Sequence, residues 1–398
     1  MPVPQPHSEF AGQVRAFLAD QLTPELRFAG QNTVGTHSDI EACRVWHRRL
    51  YQKGWIAPAW PAEYGGTGWS LKQQVLFERE CAMNDAPILF AGGVRSVGPL
   101  LIEMGTPEQK EKYLPKILSG EDLWCQGFSE PGAGSDLAAV QTKAVLEGDE
   151  YVLNGSKIWT TGAHLSNRMF CLVRTKNSAK PQQGISFLLI DMDAQGLSVE
   201  PILMMNGEHE FNQVRFDDVR VPVANLVGRE NEGWTAAKVL MRHARSSNTT
   251  SGHLHRAMRA VRRLQEVKPG GIEVDLFRVV HLLDIELAAF DVLEARCRET
   301  LLKSNDEGQE RATASFLKTT ATELHQRITE VSMLIAGPYA GVEASGALER
   351  KSELHEGALA TSKCLSQRAA SIYSGTNEIH RNQLFHRIEQ GTALVARG

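Results

Sequence analysis

The chain reads as an α+β protein of several domains: an all-α N-terminal domain, a β-barrel-like middle domain and a C-terminal four-helix bundle. Three observations predict this. Apolar residues recur at helical spacing through the first 120 residues. Between Thr142 and Val227 the pattern turns strand-like, with frequent turn residues. Long helical patterns resume after Gly233 and run towards the end. With 398 residues, 42% of them hydrophobic, the chain can bury more than one core, and we place its domains at 1–120, 121–231 and 232–398.

In the N-terminal domain, residues 8–22 put Phe10, Val14, Phe17 and Leu18 on one helix face. Ser38 precedes a second helix with Glu41 three residues on, the spacing of a capping box. Gly65, Gly66 and Gly68 form a loop ahead of the helix that follows Ser70. Thr106-Pro107 opens a later helix, with proline at its first position. In the middle domain, Glu147-Gly148-Asp149 separates residues 143–146 from 151–153 as a hairpin, and Asn154-Gly155 reads as another turn. Residues 169–173 and 185–190 are short and strongly apolar and read as central strands. Val214, Phe216 and Val219 lie before Val221-Pro222, where proline ends a strand. In the last third, residues 234–265 form one long helical pattern, broken by Pro269-Gly270-Gly271. Residues 272–302, 310–335 and 358–373 come next as long helices.

Composition removes several function classes. A net charge of −4 and a pI near 6.4 offer no footprint for nucleic acid. The stretch from Arg256 to Arg263 is the one basic cluster, and it reads as a solvated helix face. Apolar runs are too short for membrane insertion, and the first ten residues carry three prolines and no apolar signal segment. No two of the six cysteines lie within thirty residues of each other, so no metal-ligand spacing exists; they read as buried free thiols. The chain reads as cytoplasmic.

The sharpest motif is Phe128-Ser129-Glu130-Pro131-Gly132-Ala133-Gly134-Ser135-Asp136. Its glycines let backbone approach a ligand, and its hydroxyls and N–H groups are donors. It is no Rossmann fingerprint, because Leu137 stands where the third glycine belongs. By composition it reads equally as a structural turn or a ligand loop. Asn154 to Ala163, Phe216 to Pro222, Asn225 to Gly228, Glu230 to Trp234 and Ile372 to Ile379 come after it in order. These segments resemble, motif by motif and over nearly the whole chain, the acyl-CoA dehydrogenase family.

The resemblance implies FAD, an acyl-CoA substrate, an acceptor such as an electron-transfer flavoprotein, and a homo- or hetero-oligomer, dimer or tetramer. By motif position it sets Gln126, Phe128 and Ser129 along the flavin. Gly134 and Ser135 match positions at the FAD pyrophosphate or the pantetheine arm of the substrate. Trp159 and Thr161 match positions flanking the isoalloxazine near N5; without the motif, Trp159 reads as a β-domain core residue. Thr376 and Glu378 match cofactor contacts near the C-terminus. Arg245 matches an arginine that approaches CoA, and otherwise reads as a surface helix residue. The family's Arg…Phe-Gly loop is missing at residues 267–271, which resembles the class handling branched or polycyclic acyl groups.

α,β-Dehydrogenation needs a base for the weakly acidic α-proton. The family supplies a glutamate at one of two positions, matched here by Ser374 and Ala244, and neither residue is a competent base. Asp85 and His243 are the substitutes the sequence offers, although Asp85 reads equally as a loop or cap residue. His243 lies about 100° around a helix from Ala244. Three readings stay open: a dehydrogenase of branched or ring-bearing acyl-CoA, a base-lacking subunit of a heteromeric dehydrogenase, and a flavin monooxygenase on the same fold.

Overall fold

The computed structural model describes residues 6–245, 250–268, 273–303, 306–341 and 353–395. Its helices are α1 (Pro6–Gln21), α2 (Pro24–Gln31), α3 (Ile40–Lys53), α4 (Leu71–Met83), α5 (Gly98–Met104), α6 (Pro107–Ser119), α7 (Gly233–Arg245), α8 (Ser251–Val267), α9 (Val274–Lys303), α10 (Glu307–Ala336), α11 (Glu353–Gln367) and α12 (Asn377–Val395). Its strands are β1 (Trp124–Gly127), β2 (Lys143–Glu147), β3 (Glu150–Lys157), β4 (Arg168–Arg174), β5 (Ile185–Asp191), β6 (Leu197–Leu203) and β7 (His209–Pro222). Helices, a sheet, then helices again is the predicted class. Packing gathers the chain into two units. One joins Met1–Trp46, Trp69–Leu89 and Arg245–Gly398; the other joins His47–Gly68 and Phe90–Ala244. The N-terminal third therefore contributes to both.

In the second unit β4 pairs along its length with β5 and over 168–171 with β1, while β2, β3, β7 and β6 pair antiparallel in that order. The two layers meet at one register position, Lys143 opposite Arg174. Their shared core includes Cys125, Met169, Val173, Leu188 and Ile190 from one layer and Ala144, Leu153, Val214 and Val219 from the other. β4 and β5 are buried on both faces, which is why their sequences do not alternate. β5 is not central, however. It pairs with β4 alone and otherwise makes isolated bridges at Ile185 and Leu188.

Asn154-Gly155 is not a turn either. Both lie inside β3, where the register to β7 shifts between Leu153 and Gly155. Gly155 has φ +143°, and a Cβ there would stand 2.8 Å from Thr142 Cα, so only glycine fits this bulge. The Asn154 side chain bonds Asp218 across the bulge instead.

In the first unit α8, α9, α10 and α11 form the expected four-helix bundle, with α12 packed on α10. Leu254, Met258, Val261 and Leu264 of α8 recur every three or four residues and meet Leu283, Leu287, Leu324 and Ile328. The long pattern expected over 234–265 is two helices. α7 ends at Arg245, and α8 starts after an extended Thr250. A count of apolar residues does not register the extended backbone at Thr250. Residues 246–249 and the expected breaker Pro269-Gly270-Gly271 lie outside the described residues. The apolar spacing does not reveal α12.

Two further expectations change. Asp39, not Ser38, caps α3: its Oδ1 accepts from the N–H groups of Glu41 (3.0 Å) and Ala42 (3.1 Å). Ser38 is buried, and its Oγ accepts from Ile88 N–H at 2.8 Å. The cluster from Arg256 to Arg263 is not a solvated face. Arg256 is buried, and Arg259 is paired with Asp85. Capping boxes form instead at Ser70 and Thr106, where the sequence marked only the starts of helices. All six cysteines are free, Cys81 and Cys297 only half-buried. Among the described residues no helix is long and apolar enough to cross a membrane.

Candidate active site

In the β-containing unit the chain leaves β1 at Gly127 and enters the glycine loop. The Phe128 ring turns inward, edge-on to Phe170 (5.9 Å) and Phe187 (6.1 Å), and anchors the loop in the core. Glu130 and Ala133 exchange two 3.0 Å main-chain bonds around Pro131-Gly132. The Glu130 carboxylate is buried. It accepts from Lys157 Nζ (2.7 Å) and from the N–H groups of Gln141 (2.7 Å) and Thr142 (2.9 Å). Burial alone would raise its pKa, but the Lys157 charge and these bonds outweigh it and hold it below the usual range. Lys157 Nζ also donates to Phe128 O, and Ile158 N–H donates to Ser129 O at 2.9 Å. The loop and the end of β3 are thereby fastened together, with Ser129 beside the segment that leads to Trp159.

The surface that this clamp presents is open. Gln126, Gly134 and Ser135 are exposed, and Ser129 and Thr161 are half-buried. Trp159 is 57% exposed although it is the largest side chain nearby. Its φ of +60° is left-handed, a strain of roughly 1–2 kcal/mol for a residue with a Cβ. Asn212 steadies the adjoining Thr160. It exchanges main-chain bonds with Thr160 (3.0 and 3.1 Å), and its Nδ2 donates to Thr160 O at 3.0 Å. Its Oδ1 lies 2.7 Å from His209 Nε2, and the His209 ring stacks on His164 at 3.9 Å. An open indole on a rigid base, flanked by hydroxyls and loop main chain, suits a planar cofactor with an anionic arm.

In the helical unit the C-terminal motif forms the turn before α12. Ser374 is exposed and left-handed (φ +57°), and its carbonyl lies 3.1 Å from His380 Nε2. His380 is fully buried, with Nδ1 at 3.0 Å from Ser315 Oγ. Lys318 Nζ donates to Gly375 O and Asn377 Oδ1, both at 2.8 Å. Burial pushes this ammonium down to about 8, against the upward pull of Glu378 and Glu323. Thr376 Oγ1 accepts from Ile379 N–H at 3.2 Å and caps α12. Glu378 is exposed in the first helical turn. Its own N–H and the Thr376 hydroxyl hold its carboxyl below the usual range. The turn is thus built rigidly from beneath, but its outward residue is a serine.

The substitute bases fare differently. Asp85 is buried at a left-handed position (φ +56°) between two donors: Gln31 Nε2 reaches Oδ2 at 2.9 Å and the Arg259 guanidinium holds Oδ1. Both oxygens are engaged in packing α2 and α8 against the end of α4. The side chains of His243, Ala244 and Arg245 lie outside the described residues. Glu130, Lys157, Asn212, Lys318 and His380 carry the geometry, yet the sequence assigned them no role. Lys157 follows Asn154, Gly155 and Ser156 at the polar end of β3, so the local sequence carries no signal of its burial. Lys318 stands 59 residues from Asn377, and nothing local links them.

The same three parts appear in known proteins. Family models for the acyl-CoA dehydrogenase N-terminal, middle and C-terminal domains match residues 4–121, 125–219 and 231–389. A Mycobacterium tuberculosis protein named acyl-CoA dehydrogenase IpdE1 is 35% identical, over 96% of both chains. This chain belongs to the acyl-CoA dehydrogenase family. Members of the family are oxidoreductases acting on CH–CH groups, and the cofactor is FAD. A second M. tuberculosis protein, named acyl-CoA dehydrogenase FadE26, is 32% identical over 94% of each chain. Among solved structures, the ChsE4-ChsE5 complex from M. tuberculosis matches with a TM-score of 0.79 and 30% identity, covering 96% of this chain and 97% of that one. A structure described as the Tcur3481-Tcur3483 steroid ACAD matches with a TM-score of 0.80 and 29% identity, over the same shares. Acyl-CoA dehydrogenation is therefore the activity class, ahead of the monooxygenase reading.

Proposed function

We propose that this chain is the flavin-carrying member of a two-chain acyl-CoA dehydrogenase, acting on a ring-bearing thioester, whose α-proton is taken by a carboxylate of the partner chain. One observation carries the reading: a clamped surface suited to flavin coexists with Ser374 and Ala244 at both base positions. Bound FAD supplies the acceptor for the hydride leaving Cβ. The residues of this chain bind and orient. Trp159 and Thr161 line the flavin edge and exclude water, Gln126 and Ser129 lie along it, and the main chain of Phe128 continues the wall. Gly134 and Ser135 take the anionic arm, and Thr376 and Glu378 supply the cofactor contacts that their motif positions imply. Arg245 approaches CoA.

Two features support the finer parts. Both similar structures, ChsE4-ChsE5 and Tcur3481-Tcur3483, carry the names of two chains, and the second is a steroid ACAD. The outer side of α9 also keeps Val274, Phe277, Leu282, Ile285 and Val292 exposed at helical spacing, a face suited to another chain. The electron acceptor is an electron-transfer flavoprotein on this reading. The test is anaerobic mixing with a steroid-ring acyl-CoA and with butyryl-CoA. The FAD-loaded chain is used alone, and then copurified with a family chain that has glutamate at either base position. Loss of oxidised-flavin absorbance is expected only for the pair and the ring-bearing thioester. Full bleaching by the lone chain, or preference for butyryl-CoA, would overturn the proposal.

A further inference from the structure

Asn212 is wholly buried, and its amide joins the segment after Trp159 to two exposed imidazoles. Its contacts fix which way the amide faces. Nδ2 lies 3.0 Å from Thr160 O and 3.5 Å from Glu210 O, and two carbonyls require a donor there. A second Nδ2 hydrogen then points to His164 Nδ1, 3.1 Å away, and Oδ1 accepts from His209 Nε2 at 2.7 Å. The two rings therefore differ. His209 carries a proton on its bonded nitrogen, whereas His164 Nδ1 holds a lone pair. The rings stack at 3.9 Å with 24° between their planes.

Thr160, which this amide holds, lies between two left-handed positions, Trp159 (φ +60°) and Gly162 (φ +61°). Strained backbone of this kind persists only where its surroundings over-determine it. The ties here are the Asn212 side chain, its main-chain pair with Thr160, and the 2.8 Å bond from Gly162 N–H to Glu210 O. A proton added at His164 Nδ1 sets N–H against N–H and removes the acceptor. A proton added to His209 leaves its own bond in place, but charge on both stacked rings is repulsive. Imidazole is the side chain that changes charge between about pH 5 and 8. The turn 163–165 packs against β1, β6 and β7. The titratable groups these bring are Cys125, Glu200, and the pair Glu208 and Glu210 that flanks His209. Burial pushes the Cys125 thiol up to about 12, so it keeps its proton, and Glu200 is paired with Arg215. Negative charge at 208 and 210 favours a proton on the rings.

We infer that His164 is a proton-sensitive latch, acting through Asn212 as a positioning residue for Trp159 and Thr161. The neutral ring lets Asn212 hold Thr160; the protonated ring releases it. The hold is therefore present at higher pH and is lost as pH falls. Its bearing on the cofactor rests on the reading of Trp159 and Thr161 as the flavin edge.

The test uses the full FAD-containing chain and two variants of His164, whose exposure leaves the core intact on replacement. His164→Asn sets a neutral, non-titrating Oδ1 where the ring has Nδ1, and His164→Arg offers only donors and a permanent charge. Two quantities are measured: the FAD dissociation constant between about pH 5.5 and 8, and hydrogen exchange of residues 158–163, compared among the proteins at one pH. In the unmodified protein FAD binding should weaken about fivefold towards the acid end, the worth of one net hydrogen bond. His164→Asn should retain tight binding throughout. His164→Arg should bind weakly throughout and exchange the 158–163 amides faster. Equal acid weakening in His164→Asn and the unmodified protein, or unaltered exchange in His164→Arg, overturns the latch. Faster exchange in His164→Arg with unchanged FAD affinity supports the latch and overturns the placing of flavin against Trp159.

Discussion

Lys157 Nζ stands 2.7 Å from Glu130 Oε1, with the lysine wholly buried and the glutamate 8% exposed. This pair fastens the loop bearing Ser129 and Ser135 to the strand that leads to Trp159. Lys157→Met leaves Glu130 buried without its charge partner and should destabilise the protein by about 3–5 kcal/mol. The double variant Glu130→Gln/Lys157→Met should recover part of that loss. Since the Glu130 pKa lies below its ordinary value, its contribution is present above the ordinary carboxylate range and fades as pH falls through the folded value. Urea denaturation at a series of acidic pH values should give a shallower decline for Glu130→Gln.

Trp159 separates cofactor binding from stability. Its ring is 57% exposed and its φ is +60°, so Trp159→Gly should relieve backbone strain of roughly 1 kcal/mol and leave the melting temperature level or higher. FAD retention through gel filtration should fall at least tenfold, and Trp159→Phe should restore most of it. Unchanged FAD retention in the glycine variant would remove Trp159 from the cofactor surface.

Asp85→Asn keeps a residue that tolerates the left-handed backbone while removing the charge that holds Arg259. A loss of about 2–3 kcal/mol in stability is expected from the weakened charged bonds. Solvent exchange of the substrate α-proton, measured by NMR in the two-chain enzyme, should stay within about threefold of the unmodified rate. Abolished exchange in a folded variant would make Asp85 the base.

Installing the absent carboxylate should create independence from a partner. Ala244→Glu or Ser374→Glu is expected to give flavin bleaching by the lone chain, with a gain in the 10²–10⁴ range typical of a positioned general base. Serine at 374 already bears the left-handed strain of a residue with a Cβ, so glutamate there should cost little further stability. Stopped-flow absorbance under nitrogen measures the bleaching. Silence from both variants would show that more than a base is missing.

Lys318 gives a sign-specific pH effect. Its ammonium titrates at about 8 in the folded chain against 10.5 when exposed. Between those values the unfolded chain binds the extra proton, so this residue makes stability rise with pH. Lys363, at about 7, acts in the same direction. The rise from about pH 8 to pH 10 in guanidinium midpoints should be smaller in Lys318→Met. That variant also strips the donor from Gly375 O and Asn377, so the Ser374 turn should lose protection from hydrogen exchange.

The legibility of each part depends on how local its cause is. The helix starts after Ser70 and at Thr106-Pro107, the hairpin before Tyr151 and the strand end at Pro222 depend on neighbours within a few residues, and they formed as read. Asn154-Gly155 failed because the same dipeptide serves a turn or a bulge, and only the pairing of β3 with β7 decides between them. The arginines of α8 read as a wet face because charge marks exposure on average. In the folded unit they are drawn inward by Asp85, Ala86 and Glu356.

By itself the sequence determined the order of the three parts, because composition and short spacing carry that information, while its resemblance to the family marked the flavin motif and the two base positions, held by Ser374 and Ala244. Tertiary structure decided which motif residues face outward and which are clamps. Phe128 turned into the core, Glu130 and Lys157 became a buried tie, and Trp159 was held open on strained backbone. It also decided that Asp85 is bound by Arg259 and that Arg256 is buried with empty donors. The physical reason is common to these cases. Burial and pairing of charge belong to contacts between residues far apart in sequence, and the energy of a charged group depends on who else is buried with it.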